Sequence, residues 1–288
     1  MEQTSAAVKA PNNNMKKFHG MYFKHQKDGC TVSFIAGISD DHAFIQLITN
    51  QSSFYFSYPL LAYEPGEIIK IGDNSFSKNG ISVNISEDGV SIFGEIRYTS
   101  LTPLRYDIIG PFKYLPMQYG HTITSLHHRL DGNLTIYDEN VNFTDGVGYI
   151  EGNFGTSFPK SYVWIQCNDF PEKACIFASI ADIPFAGLHF RGCICVVYID
   201  GIEYRMATYL GVKILRCDDR MIVLKQGSLH LEIEIDAGTG HKLMAPQNGK
   251  MIREIRERIV CGARFRFVKN GEVLFDGHSG SASFEHVG

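Results

Sequence analysis

The chain has 288 residues, enough for two ordinary domains or one large all-β domain. Hydrophobic residues make up 44% and charged residues 20%, which excludes a disordered chain and leaves a sizeable core to bury. Lys and Arg number 27 against 31 Asp and Glu, a net charge of −4, so the basic excess expected of a nucleic-acid binder is missing.

Residues 1–14, MEQTSAAVKAPNNN, hold no apolar run and are predicted as a disordered leader, not a secretory signal. From there a series of Asp-Gly and Asn-Gly pairs punctuates the chain, at 28–29, 79–80, 88–89, 131–132, 145–146, 200–201, 248–249, 270–271 and 276–277. These pairs tolerate the positive φ of type I′ turns, and each predicts a hairpin where its flanks alternate. Ile81, Val83 and Ile85 alternate with polar residues before Asp88-Gly89, and Leu229, Leu231, Ile233 and Ile235 do the same with His230, Glu232 and Glu234. Phe265 and Phe267 alternate with Arg264 and Arg266 before Asn270-Gly271. The dominant architecture is antiparallel β.

Two segments read differently. Prolines interrupt the aromatic-rich stretch 102–118, which predicts a crossover with a helical turn, and 110–116 within it reads as a packing loop or a lid. Ile252, Ile255 and Ile259 recur at helical spacing, with Arg253/Glu257 and Glu254/Arg258 as i,i+4 pairs, so 251–259 is predicted helical, with a twisted strand as the alternative.

The most apolar window, 174–190, is broken by Asp182, Pro184 and His189, so no integral membrane segment is predicted. Seven cysteines, an odd number with no CxxC pair, predict reduced thiols and a cytoplasmic protein. Cys193 and Cys195 share a strand face without a second pair, and His127 and His128 are adjacent and so point to opposite faces. No metal site and no phosphate-binding glycine loop is predicted.

A boundary at Asp145-Gly146 divides the chain into 15–145 and 146–288, each the size of a small β-barrel. The strand count fits an all-β fold of two tandem lipocalin-like antiparallel β-barrels, opened or closed, sharing an interface. A single large β-sandwich is the competing architecture.

Residues 148–168 read GYIEGNFGTSFPKSYVWIQCN. This resembles the signature of the tocopherol cyclase-like family, close to GYIEGDWGRSFPxxWIWxQxN. The opening Tyr22-Phe23-Lys24-His25-Gln26 with Phe34-Ile35-Ala36-Gly37-Ile38 resembles the family's WYFKHQ and IIPGI segments. Ala245-Pro246 through Gly249, Met251 and Arg253 make a third match.

The resemblance implies barrels that enclose a small lipophilic, prenylated aromatic ligand. It also implies a cofactor-free closure of a prenylated quinol to a chromanol. A carboxylic acid would protonate the first trisubstituted alkene, and the neighbouring phenol oxygen would capture the tertiary cation. Such an acid needs a dry cavity to remain protonated. Glu151 in the retained GYIEG is the candidate acid.

Strand parity puts Tyr149, Glu151 and Asn153 on one face, and Tyr162, Trp164, Gln166 and Asn168 on one face of the next strand. With Tyr22, Lys24, His25 and Phe154 these are the candidate ligand-binding residues, although Lys24 and His25, on a hairpin arm, read as exposed. The chain departs from the family pattern at three places: Asn153 replaces Asp, Phe154 replaces Trp, and Met21 stands where the family has Trp. An amide cannot protonate an alkene. A non-catalytic carrier or sensor of a hydrophobic ligand on the same fold is therefore the alternative. A carbohydrate-active protein would need a pair of carboxylates beside an aromatic platform, and spacing shows none. Oligomeric state is not legible.

Overall fold

In a computed structural model the described residues are 17–87, 89–115, 117–185 and 188–288. The expected leader, 1–14, lies outside them. The first sheet takes β1 (Phe18–Lys27), β2 (Cys30–Ile38), β3 (Ala43–Thr49), β4 (Ser53–Tyr58), β5 (Tyr63–Glu64) and β6 (Ile68–Ile71). It continues with β7 (Asn74–Ser77), β8 (Gly80–Glu87), β9 (Val90–Thr99), β10 (Tyr119–Ile136), β11 (Glu139–Asn142) and β12 (Val147–Gly155). The second takes β13 (Tyr162–Cys167), β14 (Ala174–Phe185), β15 (Leu188–Ile199), β16 (Ile202–Ala207) and β17 (Lys213–Cys217). It ends with β18 (Met221–Gln226), β19 (Leu229–Ile235), β20 (His241–Gln247), β21 (Lys250–Lys269) and β22 (Glu272–Val287).

Both sheets are wired alike. The first runs β4-β3-β2-β1-β12-β10-β9-β8-β7-β6-β5, the second β16-β15-β14-β13-β22-β21-β19-β18-β17, and β11 and β20 pair with β10 and β21 off these paths. In each, the last long strand pairs with the first, as in an up-and-down barrel, and the ring stays open on the far side. The expected pair of lipocalin-like barrels is therefore present in opened form. The chain passes from one sheet to the other between Gly155 and Tyr162, because β12 pairs with β1 and β10 and so belongs with the strands before it.

The seam strands explain where the site lies. A strand at the centre of two packed layers is apolar on both faces, and β13 is buried at every position. On one side Val163, Ile165 and Cys167 join the core of the second sheet. On the other Trp164 and Tyr162 join Tyr22 and Tyr149 in a third cluster, which packs the two sheets against each other. In the first sheet Phe23 and Ile150 face its own core.

Two expectations change. The segment 251–259 is strand, not helix: its inward residues are Met251, Ile255, Glu257 and Ile259, spaced by multiples of two, and the exposed Ile252 falls outside the stripe. The pairs at 131–132 and 276–277 are not hairpins but lie inside β10 and β22. Gly132 (φ 139°) meets Glu95 so closely across the ladder that a Cβ there would stand 2.1 Å from the Glu95 carbonyl oxygen. By contrast, Asp28-Gly29, Asp200-Gly201, Asn248-Gly249 and Asn270-Gly271 carry positive φ at both residues, as type I′ turns require. The crossover has its helical turn, a 3-10 segment at Gly110–Tyr114. It is a packing loop: Phe112 lies against Phe190 and Tyr209, away from the cavity described next.

Candidate functional site

Between the sheets lies a cavity of about 70 Å³. Its apolar wall includes Phe18, Phe44, Phe158 and Ile255, and its polar groups include Tyr22, Tyr119, Glu151, Asn153, Tyr162 and Glu285. An outer groove of about 420 Å³ shares Gln46, Leu243 and Met244 with it.

Glu151, on β12, is 4% exposed and sits among donors. Tyr149 donates to its Oε2 at 2.8 Å, the Trp164 indole N–H donates to the same oxygen at 3.1 Å, and Asn153 Nδ2 donates to Oε1 at 3.3 Å. The strand parity that placed Tyr149, Glu151 and Asn153 together holds, and β13 brings Trp164 to them from the second sheet. His121 Nε2 lies 3.3 Å from Oε2. Tyr119 donates to Asn153 Oδ1, so the amide Nδ2 is turned toward the carboxylate. An ionised carboxylate only accepts hydrogen bonds, and three donors suit that form better than a proton donor.

A second carboxyl stands in different surroundings. Glu285, on β22, faces the same cavity and accepts the Tyr162 hydroxyl at 2.5 Å. Burial drives its carboxyl far above the usual carboxylate range, and the charge of Glu257 adds to that. Glu257, directly opposite on β21, is also raised by burial, against the opposing pull of the Tyr22 hydroxyl and the Lys24 charge. Tyr22 donates to Glu257 Oε1 at 2.7 Å and receives the Ser33 hydroxyl at 3.0 Å.

Lys24 is fully buried, where a hairpin arm had suggested exposure, because the second sheet covers that face of β1. Its ammonium donates to Gln166 Oε1 at 3.0 Å and to the Ser281 carbonyl at 3.2 Å. Burial lowers its pKa to about 8. Gln166 thus bridges the sheets instead of lining the cavity. So does Asn168, whose amide donates to the Gly148 carbonyl at 2.9 Å.

Two further candidates point away from the cavity. His25 is also buried, but strand alternation turns it into the core of the first sheet. There Nδ1 donates to the Val32 carbonyl at 3.1 Å, and Nε2, 2.6 Å away, accepts the Tyr98 hydroxyl. Phe154 is 43% exposed on the far face of β12, against Gly120. The Trp-to-Phe departure at that position therefore does not alter the cavity.

Sequence reasoning missed Glu257, Glu285, Tyr119 and His121. Glu257 was masked by the helical reading of 251–259, whereas at a period of two it breaks the apolar stripe Met251–Ile255–Ile259. Ser279, Ser281, Ser283 and Glu285 form a polar stripe opposite Ala282 and Phe284, a weaker signal of the same kind.

A model of the tocopherol cyclase-like family matches residues 106–182. Over that segment the chain is similar to the tocopherol cyclase-like family. The segment carries β10 to β13 and part of β14, and with them Tyr119, His121, Tyr149, Glu151, Asn153 and Trp164. The resembling stretches at 22–26 and 245–253 lie outside it. No curated protein matches the chain.

Solved structures with the same fold include CghA bound to Sch210972, at a TM-score of 0.60 and 8% identity, covering 94% of this chain and 88% of that one. Kievitone hydratase from Nectria haematococca aligns at 0.53 and 12% identity, covering 96% and 90%. A Nitrosomonas europaea protein assigned as AttH aligns at 0.55 and 10%, covering 96% and 95%. At these identities the likeness concerns the fold. Among the described residues no helix is long and apolar enough to cross a membrane, and all seven cysteines are free.

Proposed function

We propose that the chain binds a lipophilic aromatic ligand of the prenylated quinol type between its sheets and protonates an alkene of that ligand without a cofactor. The observation that carries this reading is one cavity with carboxyls in two environments: Glu285, driven toward its neutral form, and Glu151, ringed by donors. Two carboxyls in such unlike surroundings divide acid and anionic roles between them.

The ring sits beside Trp164 and Glu151, and the prenyl tail lies along the apolar wall of Phe18, Phe44 and Phe158. The Glu285 O–H bond breaks as a C–H bond forms on the less substituted alkene carbon, leaving a tertiary cation. The phenol oxygen captures the cation, a C–O bond forms, and the phenolic proton passes to the Glu285 carboxylate. The product is an isomer of the substrate, and Glu285 ends as it began. The ionised Glu151 supplies negative charge beneath the cation, and the Trp164 and Tyr162 rings stabilise it through their faces.

The hydratase name of one fold relative supports the reading, because adding water to an alkene and adding a phenol to it share the proton-donor step. Glu285 replaces Glu151 as the proposed acid, and Glu151 keeps a place in the site as an anion. Asn153, an amide where the family has an acid, favours the second reading, binding without turnover. We also place the protein in a reducing, cytoplasmic compartment, in keeping with its free thiols.

The test is turnover of a prenylated quinol by wild type, Glu285→Gln and Glu151→Gln, with chromanol measured by chromatography. The acid reading predicts wild-type turnover that falls about 100-fold or more in Glu285→Gln. Saturable binding with no wild-type turnover leaves the carrier. Equal rates in wild type and Glu285→Gln remove Glu285 from the chemistry.

A further inference from the structure

Glu257 lies outside the chemistry described above, because its side chain stands behind the cavity wall. It is nonetheless fully buried, and its Oε2 has no hydrogen-bond partner. It is the register partner of Glu285 across β21 and β22, so the two side chains leave the same face with Cβ atoms about 5 Å apart.

The groups around the pair are unequal. Toward Glu257, β1 of the other sheet presents the Tyr22 hydroxyl, bonded to Oε1 at 2.7 Å, and the Lys24 ammonium. Ser283, from β22, lies 3.4 Å from that same hydroxyl. Toward Glu285, β13 presents Tyr162, and the first sheet presents Tyr119 and the anionic Glu151. Arg253 faces Tyr162 and is already committed to the Pro159 and Lys160 carbonyls. His121 sits beside Glu151. Cys167, Cys175 and Asp169 complete the titratable surroundings of Lys24. Three carboxyls thus share a dry interface with one buried ammonium, and two adjacent carboxylates there cannot both stay ionised.

We propose that Glu257 and Glu285 hold one proton between them, and that Tyr22 and Lys24 keep it on Glu285, the member facing the cavity. The donor hydroxyl and the ammonium both favour charge on Glu257. Glu151 acts on both members and does not decide between them; Glu285 has the Tyr162 hydroxyl as its single donor, so the proton rests there. Tyr22 and Lys24 are positioning residues: they belong to the first sheet and set the state of an acid in the second. The inference rests on the reading of Glu285 as the proton donor, and it explains why a buried lysine lies next to a cavity it does not line.

The test is infrared titration of the protonated-carboxyl carbonyl band in the ligand-free full-length protein. It uses wild type, Glu285→Gln, Glu257→Gln, Tyr22→Phe and Lys24→Met. Wild type should keep a band at neutral pH that Glu285→Gln removes. In Glu257→Gln the neighbouring charge is gone, and the Glu285 band should titrate about one pH unit or more lower. Tyr22→Phe and Lys24→Met should shift the band in frequency as the proton spreads to Glu257, and Tyr22→Phe carries this arm if Lys24→Met does not fold. A midpoint unchanged in Glu257→Gln, or a neutral-pH band that survives Glu285→Gln, overturns the proposal. The titration needs no turnover, so a chain with the predicted band shifts and no cyclising activity loses the functional reading alone.

Discussion

Gln46 and Met244 meet across the two sheets as if they were adjacent strands. The Gln46 amide donates to the Met244 carbonyl at 2.9 Å, and its oxygen accepts the Met244 N–H at 2.7 Å. Both residues line the inner cavity and the outer groove, so this pair of hydrogen bonds closes the wall between them. Gln46→Ala leaves both backbone groups of Met244 unpaired, at a cost of about 1–3 kcal/mol. The expected outcome is a lower urea midpoint together with faster acrylamide quenching of Trp164. Unchanged quenching would show that the wall opens elsewhere.

Two fully buried histidines, His25 and His128, oppose acid in the first sheet, beside the partly buried His127, which is lowered to about 4. Burial lowers His25 from 6.5 to about 4 and His128 from 6.5 to about 3. In the unfolded chain both take up a proton at higher pH than in the folded one. Their contribution is therefore complete above pH 6.5 and is lost as pH falls from there toward 4 and 3. For His25 the loss amounts to about 3 kcal/mol. Glu257 and Glu285, raised instead of lowered, act in the opposite sense, and their effect is complete once pH has fallen to the ordinary carboxylate value of 4.5. The double variant His25→Gln/His128→Gln should therefore lose less stability than wild type on acidification, as measured by urea midpoints across that window.

The position of Gly132 makes a sharper demand than a turn would. Its φ of 139° and the nearby Glu95 carbonyl exclude any side chain. Gly132→Ala should destabilise by about 1–3 kcal/mol, seen as a fall in thermal midpoint. The adjacent Asp131→Ala, exposed in the same strand, should cost little.

That glycine also shows what the sequence could carry. Asn-Gly and Asp-Gly pairs report a local preference, and four of them form the expected type I′ turns. Inside a long bent strand, however, the same pair serves a close cross-strand approach that only the partner strand reveals. Alternation placed Tyr149, Glu151 and Asn153 on one face because period two is a property of a strand alone. It could not tell which of the two faces of β1 meets the other sheet, so Lys24 and His25 were grouped although they point opposite ways. Nor could it bring Glu257 and Glu285 together. Their pairing depends on the register of β21 against β22, set by bulges that no local pattern announces.

The central claim is that a lipophilic aromatic ligand occupies the cavity against Trp164, the single tryptophan of the chain. Its indole N–H bonds Glu151, and its ring lines the space. Titration of the protein with a prenylated quinol, read by tryptophan emission, tests this directly. The expected result is a saturable change in emission, abolished by Ser179→Phe, which fills the cavity beside Trp164. Saturable binding that leaves the emission unchanged, or no binding at all, would contradict it.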